Sequence, residues 1–379
     1  MKKILHIAKY YYPFKGGTEQ VARDCVIALK DRYDQKVICF NDGKGDLTDS
    51  VDDTEIIRMG CFVKIASQSL SHSYARKLRQ VIREFDPDLI IFHYPNPFVA
   101  YFLLKYLPER CRLIVYWHLD IVKQKILRTF FISQNRRLIE RADALVATSP
   151  TYIDGSEYLK TAREKCVVIP NCVNVQRLQV TPAIEAKAKQ IRLANEGKVI
   201  CVAVGRHTEY KGTRYLIEAS RLLDDRFRFF IIGQGRLTGQ LKELASGDDK
   251  IQFLGPVDDA ALKSHLLSAD IYCFPSVTKN EAFGISLAEG MYFGKPTVTF
   301  HIPGSGVNYV SIDGETGIEV ENRNVQAYAA ALERLAGDEK LRETYGNAGK
   351  RRVKNCFTHT QFEENIRTLV KKWFRSDGA

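Results

Sequence analysis

The chain lacks any long apolar run. A membrane-spanning helix needs roughly 18 apolar residues, and the longest stretches here are brief, such as 98–104. The amino-terminal Met1-Lys2-Lys3-Ile4-Leu5-His6 is interrupted at Lys9, too soon for the apolar region of a signal peptide. A cytoplasmic location is therefore expected. Low-complexity tracts and short internal repeats are also missing. Cysteine is present but unorganised: nine residues, an odd number, scattered from Cys25 to Cys356 without a C-x-x-C. Reduced thiols are expected, with neither a disulfide framework nor a zinc site. The D-x-D string occurs once, at Asp86-Pro-Asp88 ahead of an apolar run, where it reads as a turn, and no metal is expected.

The 379 residues that remain to be explained are 45% hydrophobic and 27% charged. Those values describe one or two globular domains and exclude a disordered chain. The net charge is +11, which points to an anionic partner. It is concentrated. Residues 58–141 carry 15 Lys/Arg against 6 Asp/Glu, and residues 350–379 carry 8 against 3, leaving the rest of the chain slightly acidic.

Short β-branched and aliphatic runs alternate with amphipathic stretches. Strands are expected at 4–8, 36–40, 88–93, 112–118, 144–149 and 166–170, and again at 198–205, 227–233, 251–255, 271–275 and 296–300. Helical periodicity lies between them, at 19–31, 73–85, 130–142, 213–223, 259–268, 286–293, 325–337 and 339–356. Such alternation specifies α/β architecture, with parallel sheets covered on both faces. The series starts twice, near residues 4 and 199, and the stretch 171–182 between them is polar and proline-bounded. Two doubly wound, Rossmann-like domains facing each other across a cleft are expected, over 1–175 and 176–356, with 357–379 as a terminal helix. Ligands in such sheets bind beyond the carboxyl ends of the strands.

The strongest chemical signal is E-A-F-G-I-S-L-A-E from Glu281 to Glu289, after the strand at 271–275. A helix starting near Phe283 or Gly284 presents unpaired amides, which favour an anion. The two carboxylates are eight residues apart, about 12 Å if helical throughout, too far for a typical paired-carboxylate hydrolase. They suit two parts of one extended ligand, because carboxylates accept hydrogen bonds from sugar hydroxyls. Alternatively, they are surface acids of a helix.

The E-x7-E spacing with A-F-G-I inside it resembles glycosyltransferase family 4. Supporting motifs are G-G-T-E at Gly16–Glu19, V-G-R at Val204–Arg206, Y-K-G at Tyr210–Gly212, I-I-G-Q-G at Ile231–Gly235, F-L-G at Phe253–Gly255 and A-D-I-Y-C-F-P-S at Ala269–Ser276. The resemblance covers nearly the whole chain. W-H-L-D-I-V-K-Q-K at Trp117–Lys125 and V-V-I-P-N at Val167–Asn171 are most similar to bacterial O-antigen mannosyltransferases that use GDP-mannose. The resemblance implies a GT-B fold and retaining transfer of a hexose, mannose favoured, from a nucleotide sugar to a polyprenyl-diphosphate-linked glycan. No cofactor or metal is implied, and the carboxyl-terminal helix crosses back to the first domain.

Residue by residue, the resemblance implies that Arg206 and Lys211 hold the donor diphosphate, whose leaving charge two fixed cations stabilise. Glu281 contacts the donor sugar and Glu289 the ribose. Phe283, Gly284 and Ile285 offer backbone amides. Gly205 and Gly233 line the nucleotide pocket, Val257 borders the base, and Gly16 and Gly17 allow close approach of phosphate or sugar. His118, at a strand end, lies near the donor sugar or is a structural histidine. Asp120 is an acceptor-side candidate. Neither glycine turn completes G-x-G-x-x-G, since Thr238 stands where the third glycine of the second would be.

Arg76, Lys77, Arg79 and Arg83, and then Lys123, Lys125, Arg128, Arg136, Arg137 and Arg141, are interleaved with apolar residues. They form either solvated helix faces or a face that seeks an anionic inner-membrane surface, making the protein peripherally membrane-associated. No nucleic-acid-binding motif accompanies the charge, and nucleic acid is not expected. Two other classes fit less of the sequence: a GT-B nucleotide-sugar epimerase, and a non-catalytic basic binding protein.

Overall fold

A computed structural model describes residues 1–14, 16–65, 68–121 and 128–375. The chain folds as two compact units, residues 1–171 with 360–379, and 172–359.

The first unit is built on β1 (Lys3–Ile7), α1 (Gly17–Leu29), β2 (Asp34–Phe40), β3 (Leu47–Val51), β4 (Thr54–Met59), the β5–β6 hairpin (Val63–Ile65, Gln68–Leu70), α2 (Tyr74–Phe85), β7 (Leu89–Tyr94), α3 (Pro97–Tyr106), β8 (Arg112–Trp117), α4 (Arg128–Arg141), β9 (Ala144–Ala147), α5 (Pro150–Gly155) and β10 (Cys166–Val168). The main sheet runs β10-β9-β8-β7-β1-β2-β4-β3. Its pairings are parallel except at the β3 edge. Every residue of β7 and β9 is buried, as continuous apolar strands covered on both faces require.

The second unit contains α6 (Pro182–Leu193), β11 (Val199–Val204), α7 (Thr213–Ser220), β12 (Phe227–Ile232), α8 (Thr238–Leu244), β13 (Ile251–Gly255), α9 (Asp259–Ser268), β14 (Ile271–Phe274), α10 (Ile285–Tyr292), β15 (Thr297–Phe300), α11 (Val307–Val310), β16 (Gly317–Val320), α12 (Val325–Gly337) and α13 (Glu339–Cys356). Its sheet is wholly parallel in the order β13-β12-β11-β14-β15-β16. The strand order reverses between β11 and β14, and such a switch point opens a crevice at the carboxyl ends of the two strands. Tyr272, Phe274, Leu287, Met291, Val298 and Phe300 are among the residues of its core.

The last helix, α14 (His359–Arg375), packs on the first unit. Arg367 Nε donates to Ala28 O at 2.7 Å, and the Phe374 ring lies 5.3 Å from that of Tyr33. The basic residues 350–356 instead belong to α13 of the second unit, so the carboxyl-terminal charge is split between the units. Arg352 spends its guanidinium on Val310 O and Tyr309 O.

Elements beyond the periodicity include α3, α5, α6, α8, α11, β3 to β6 and β16. The sequence 97–106 is almost wholly apolar and shows no helical alternation, yet Asn96 caps it by accepting from Val99 N–H and Pro97 opens it. Thr181 and Pro182 start α6 in the same way. An N-cap acceptor followed by proline is a readable helix start.

Candidate active site

The switch point of the second unit gathers most of the sequence candidates. β11 ends at Val204 and is followed by Gly205, Arg206 and a 3-10 turn, Glu209–Lys211. Gly212 then takes a left-handed φ of 62°, and a Cβ there would lie 2.0 Å from Pro275 O. Only glycine combines that dihedral with that approach. The loop after β14 is thereby held against the loop after β11, and Val277 N–H donates to Tyr210 O at 2.9 Å. Ser286 Oγ donates to Val204 O at 3.3 Å, tying α10 to the end of β11.

Within this frame Lys211 Nζ lies 2.5 Å from Glu281 Oε2, with side-chain exposures of 13% and 12%. Ser276 Oγ donates to the same carboxylate oxygen at 3.1 Å. The Glu281 backbone carbonyl accepts from Ser305 Oγ. Lys211 Nζ also stands over the Phe274 ring at 5.0 Å, a further favourable site for a cation. Arg206 is exposed, and its Nη2 donates to Tyr210 OH at 3.3 Å. Gly205, His207, Lys211, Thr213, Phe274 and Ser276 line one small cavity at the ends of β11, β12 and β14.

Gly284 is the N-cap of α10 with φ 90°, and Ile285 is its first residue. The Phe283 ring turns away into the core, edge-on to Phe357 at 5.3 Å. Glu289 is buried in α10 and pairs with Arg177, which also reaches Asp259 at 2.6 Å. Burial pushes the Glu289 carboxyl above the usual range, against the opposing effect of Arg177. Burial acts downward on Arg177, and the Glu289 and Asp259 charges outweigh it. Gly233 has an internal reason to be glycine. At φ 122° its Cβ would lie 2.0 Å from Gly205 O, while its N–H is used by Gly255 O at 2.8 Å. Val257 lies two residues beyond β13 and packs on the core.

The remaining candidates belong to the first unit. Gly16 is the N-cap of α1 and Gly17 its first residue, both exposed. His118 follows β8, is buried, and shares an N···N contact of 3.0 Å with His93 Nδ1 through its Nε2. Burial pulls His118 down to about 3 and His93 well below the usual histidine range, so both imidazoles are neutral. His6 is likewise pushed down to about 4 by burial, and its Nε2 meets Gln35 Oε1 at 2.8 Å. Asp120 is committed within the fold: its Oδ1 accepts from Trp117 Nε1 at 2.9 Å and from Ser156 Oγ at 2.8 Å.

Three partners escaped sequence reasoning: Arg177, Ser305 and His93. Arg177 lies 112 residues from Glu289, in the polar, proline-bounded stretch between the two series of strands, and carries no local signal. Ser305 follows a strand in a polar turn and looks like an ordinary loop residue.

Residues 185–352 match the model described as "Glycosyl transferases group 1", and residues 15–177 match "Glycosyltransferase Family 4". The D-rhamnosyltransferase WbpZ of Pseudomonas aeruginosa is 30% identical, over 78% of this chain and 76% of its own. The chain belongs to glycosyltransferase family 4. Another family relative, the O-antigen chain mannosyltransferase C of Escherichia coli, is 29% identical over 94% of both chains. Among solved structures, Anabaena Alr3699/HepE in complex with UDP has a TM-score of 0.78 at 19% identity, covering 98% of this chain and 100% of that one. The two parallel-sheet, Rossmann-like units are those of the GT-B fold, and the protein is a glycosyltransferase.

Proposed function

We propose that this glycosyltransferase moves mannose from GDP-mannose, with retention, onto a polyprenyl-diphosphate-linked glycan during O-antigen or related surface-polysaccharide synthesis. The observation that carries the reading is the Lys211–Glu281 pair at the β11/β14 switch point. A cation and a carboxylate side by side suit a sugar diphosphate, with Lys211 and Arg206 toward the charged diphosphate and Glu281 toward sugar hydroxyls. The α10 amino terminus, with Gly284 and Ile285, adds backbone donors on the diphosphate side. Glu289 accepts from the ribose hydroxyls once Arg177 yields.

As the glycosidic bond breaks, negative charge grows on the leaving diphosphate. Fixed donors and cations in a water-poor site stabilise it without reorganising. In the proposed front-face course, the leaving phosphate oxygen takes the proton of the attacking acceptor hydroxyl. That course needs no enzyme nucleophile, and Arg206 and Lys211 supply the charge that a divalent ion supplies elsewhere. His118, being neutral, offers a hydrogen bond rather than a charge on the acceptor-bearing unit. The mannose reading draws on the Escherichia coli relative's name.

The acceptor is proposed to be met at an anionic inner-membrane surface. No helix among the described residues is long and apolar enough to cross a membrane. Arg76, Arg79 and Arg83 are exposed on α2, and the neighbouring α3 exposes Tyr101 by 50%. Arg79 reaches over the Tyr106 ring of α3 at 5.9 Å. Exposed arginines beside an aromatic helix suit a peripheral contact with anionic headgroups. Lys123 and Lys125 lie outside the described residues, as does the Arg128 side chain. Arg141 is directed inward to Pro108 O and Cys111 O.

The test is direct. Purified protein is incubated with radiolabelled GDP-mannose, and in parallel with UDP-sugars, with and without a polyprenyl-linked acceptor. Transfer from GDP-mannose giving an α-linked product supports the reading. An inverted linkage overturns retention, transfer from a UDP-sugar alone overturns the donor, and conversion of donor without acceptor identifies an epimerase.

A further inference from the structure

Thr238 breaks the glycine pattern of the second turn, and the structure supplies a reason. Its Oγ1 accepts from Gly235 N–H at 2.9 Å, donates to Gly235 O at 2.8 Å and lies 2.9 Å from His207 Nδ1. With the single hydroxyl hydrogen directed to Gly235 O, the proton between the two side chains belongs to His207 Nδ1. His207 Nε2 is then a bare nitrogen, and it has no hydrogen-bond partner among the described residues. Burial, with the Lys242 charge nearby, lowers the His207 pKa and keeps the ring neutral.

The backbones of the two loops interlock at the same place. His207 N–H donates to Gln234 O at 3.1 Å, and Leu237 N–H donates to His207 O at 3.2 Å. A Cβ on Gly235 would come within 2.5 Å of His207 O. Arg236 and Glu209 form an ion pair between the same two loops. His207 is 1% exposed, lines the cavity that also holds Gly205 and Lys211, and directly follows Arg206. A glycine at 238 would leave the Gly235 N–H and the His207 Nδ1–H without this shared partner.

We propose that His207 and Thr238 are positioning residues: a clamp that locks the loop after β11 to the turn after β12 and so fixes Arg206 and Lys211 where a nucleoside diphosphate needs them. The inference rests on the donor reading above. The clamp acts through the cations: His207 Nε2 is sealed from solvent and so offers the ligand no hydrogen bond. Its effect therefore falls on binding of the second phosphate rather than of the nucleoside.

Calorimetric titration of the full chain with GDP, GMP, UDP and UMP tests it. Thr238→Val is expected to weaken the diphosphate that the wild type binds by about tenfold, the loss of a single well-placed tie. The matching monophosphate should change by less than about twofold on the same scale. Thr238→Ser should restore diphosphate binding, His207→Leu should copy Thr238→Val, and His207→Asn, which keeps an N–H near the Nδ1 position, should recover part of it. Unchanged diphosphate affinity in Thr238→Val overturns the clamp, and so does equal loss of mono- and diphosphate. Binding of neither diphosphate by the wild type overturns the donor reading and the clamp with it. Independently of any variant, 15N NMR of the imidazoles should find His207 as the neutral Nδ1–H tautomer; an Nε2–H tautomer overturns the hydrogen-bond assignment.

Discussion

Lys211 and Glu281 neutralise one another in the second unit, 2.5 Å apart and nearly buried. Each is the partner that the other would be costly to leave without. A buried carboxylate deprived of its cation loses far more than an exposed pair would. In the proposed donor complex both side chains would be shared between each other and the sugar diphosphate. The pair is thus both a piece of the fold and the proposed reacting surface.

Glu281→Ala and Lys211→Ala are each expected to lower kcat/KM for transfer by about 100-fold or more, the scale of losing a preorganised charge contact. They should differ in stability. Lys211→Ala strands the Glu281 carboxylate and should cost about 1–3 kcal/mol, whereas Glu281→Ala leaves a lysine long enough to reach water. Steady-state kinetics and urea unfolding of both variants decide this. Wild-type turnover in either one would remove the residue from the active site.

Arg177 holds Glu289, whose carboxyl burial already pushes upward. Replacing Arg177 with Met removes the opposing positive charge, so the carboxyl titrates higher still. Protonated Glu289 accepts fewer hydrogen bonds from ribose. The donor KM of Arg177→Met should therefore rise as pH falls, more steeply than that of the wild type. A pH-independent KM in the variant would contradict this role of Arg177.

The buried histidines predict acid sensitivity. His6 and His118 titrate at about 4 and about 3 in the folded chain, against roughly 6.5 when unfolded. Below pH 6.5 the unfolded chain takes up protons that the folded chain refuses, so stability falls as pH falls. The slope reaches about 1.4 kcal/mol per pH unit for each histidine. Urea midpoints at pH 7.5, 6 and 5 measure it, and replacing either histidine with glutamine should flatten it. A midpoint constant over this range would show that the histidines are not held neutral.

Membrane contact is expected to depend on α2. Arg76→Glu combined with Arg83→Glu should abolish co-sedimentation with vesicles containing phosphatidylglycerol, and wild-type binding should weaken as salt rises from 0.05 to 0.5 M, an estimate set by screening over about 10 Å at 0.1 M. Equal binding to neutral vesicles at all salt concentrations would sink the electrostatic contact while leaving the transferase reading intact.

Much was legible along the chain because it is local. Buried parallel strands declare themselves as continuous aliphatic runs such as Val199–Val204, and the motifs follow them at strand ends. The sequence also placed Glu281, Glu289, Arg206 and Lys211 near one another in function through family resemblance. It could not see α3, whose almost wholly apolar sequence has no helical rhythm, or β16, whose Gly317-Ile-Glu-Val is no continuous aliphatic run.

What the sequence by itself determined is the alternation that makes two doubly wound sheets and the identity of the groups at their carboxyl ends. What the tertiary structure decided is who neutralises whom. Lys211 meets Glu281 because the switch point brings the loops after β11 and β14 together, and Arg177 meets Glu289 across 112 residues. Thr238 turned from a broken glycine pattern into the tie between His207 and Gly235. Pairings of this kind depend on strand order, and strand order is set by burial of the whole sheet rather than by any local run of residues.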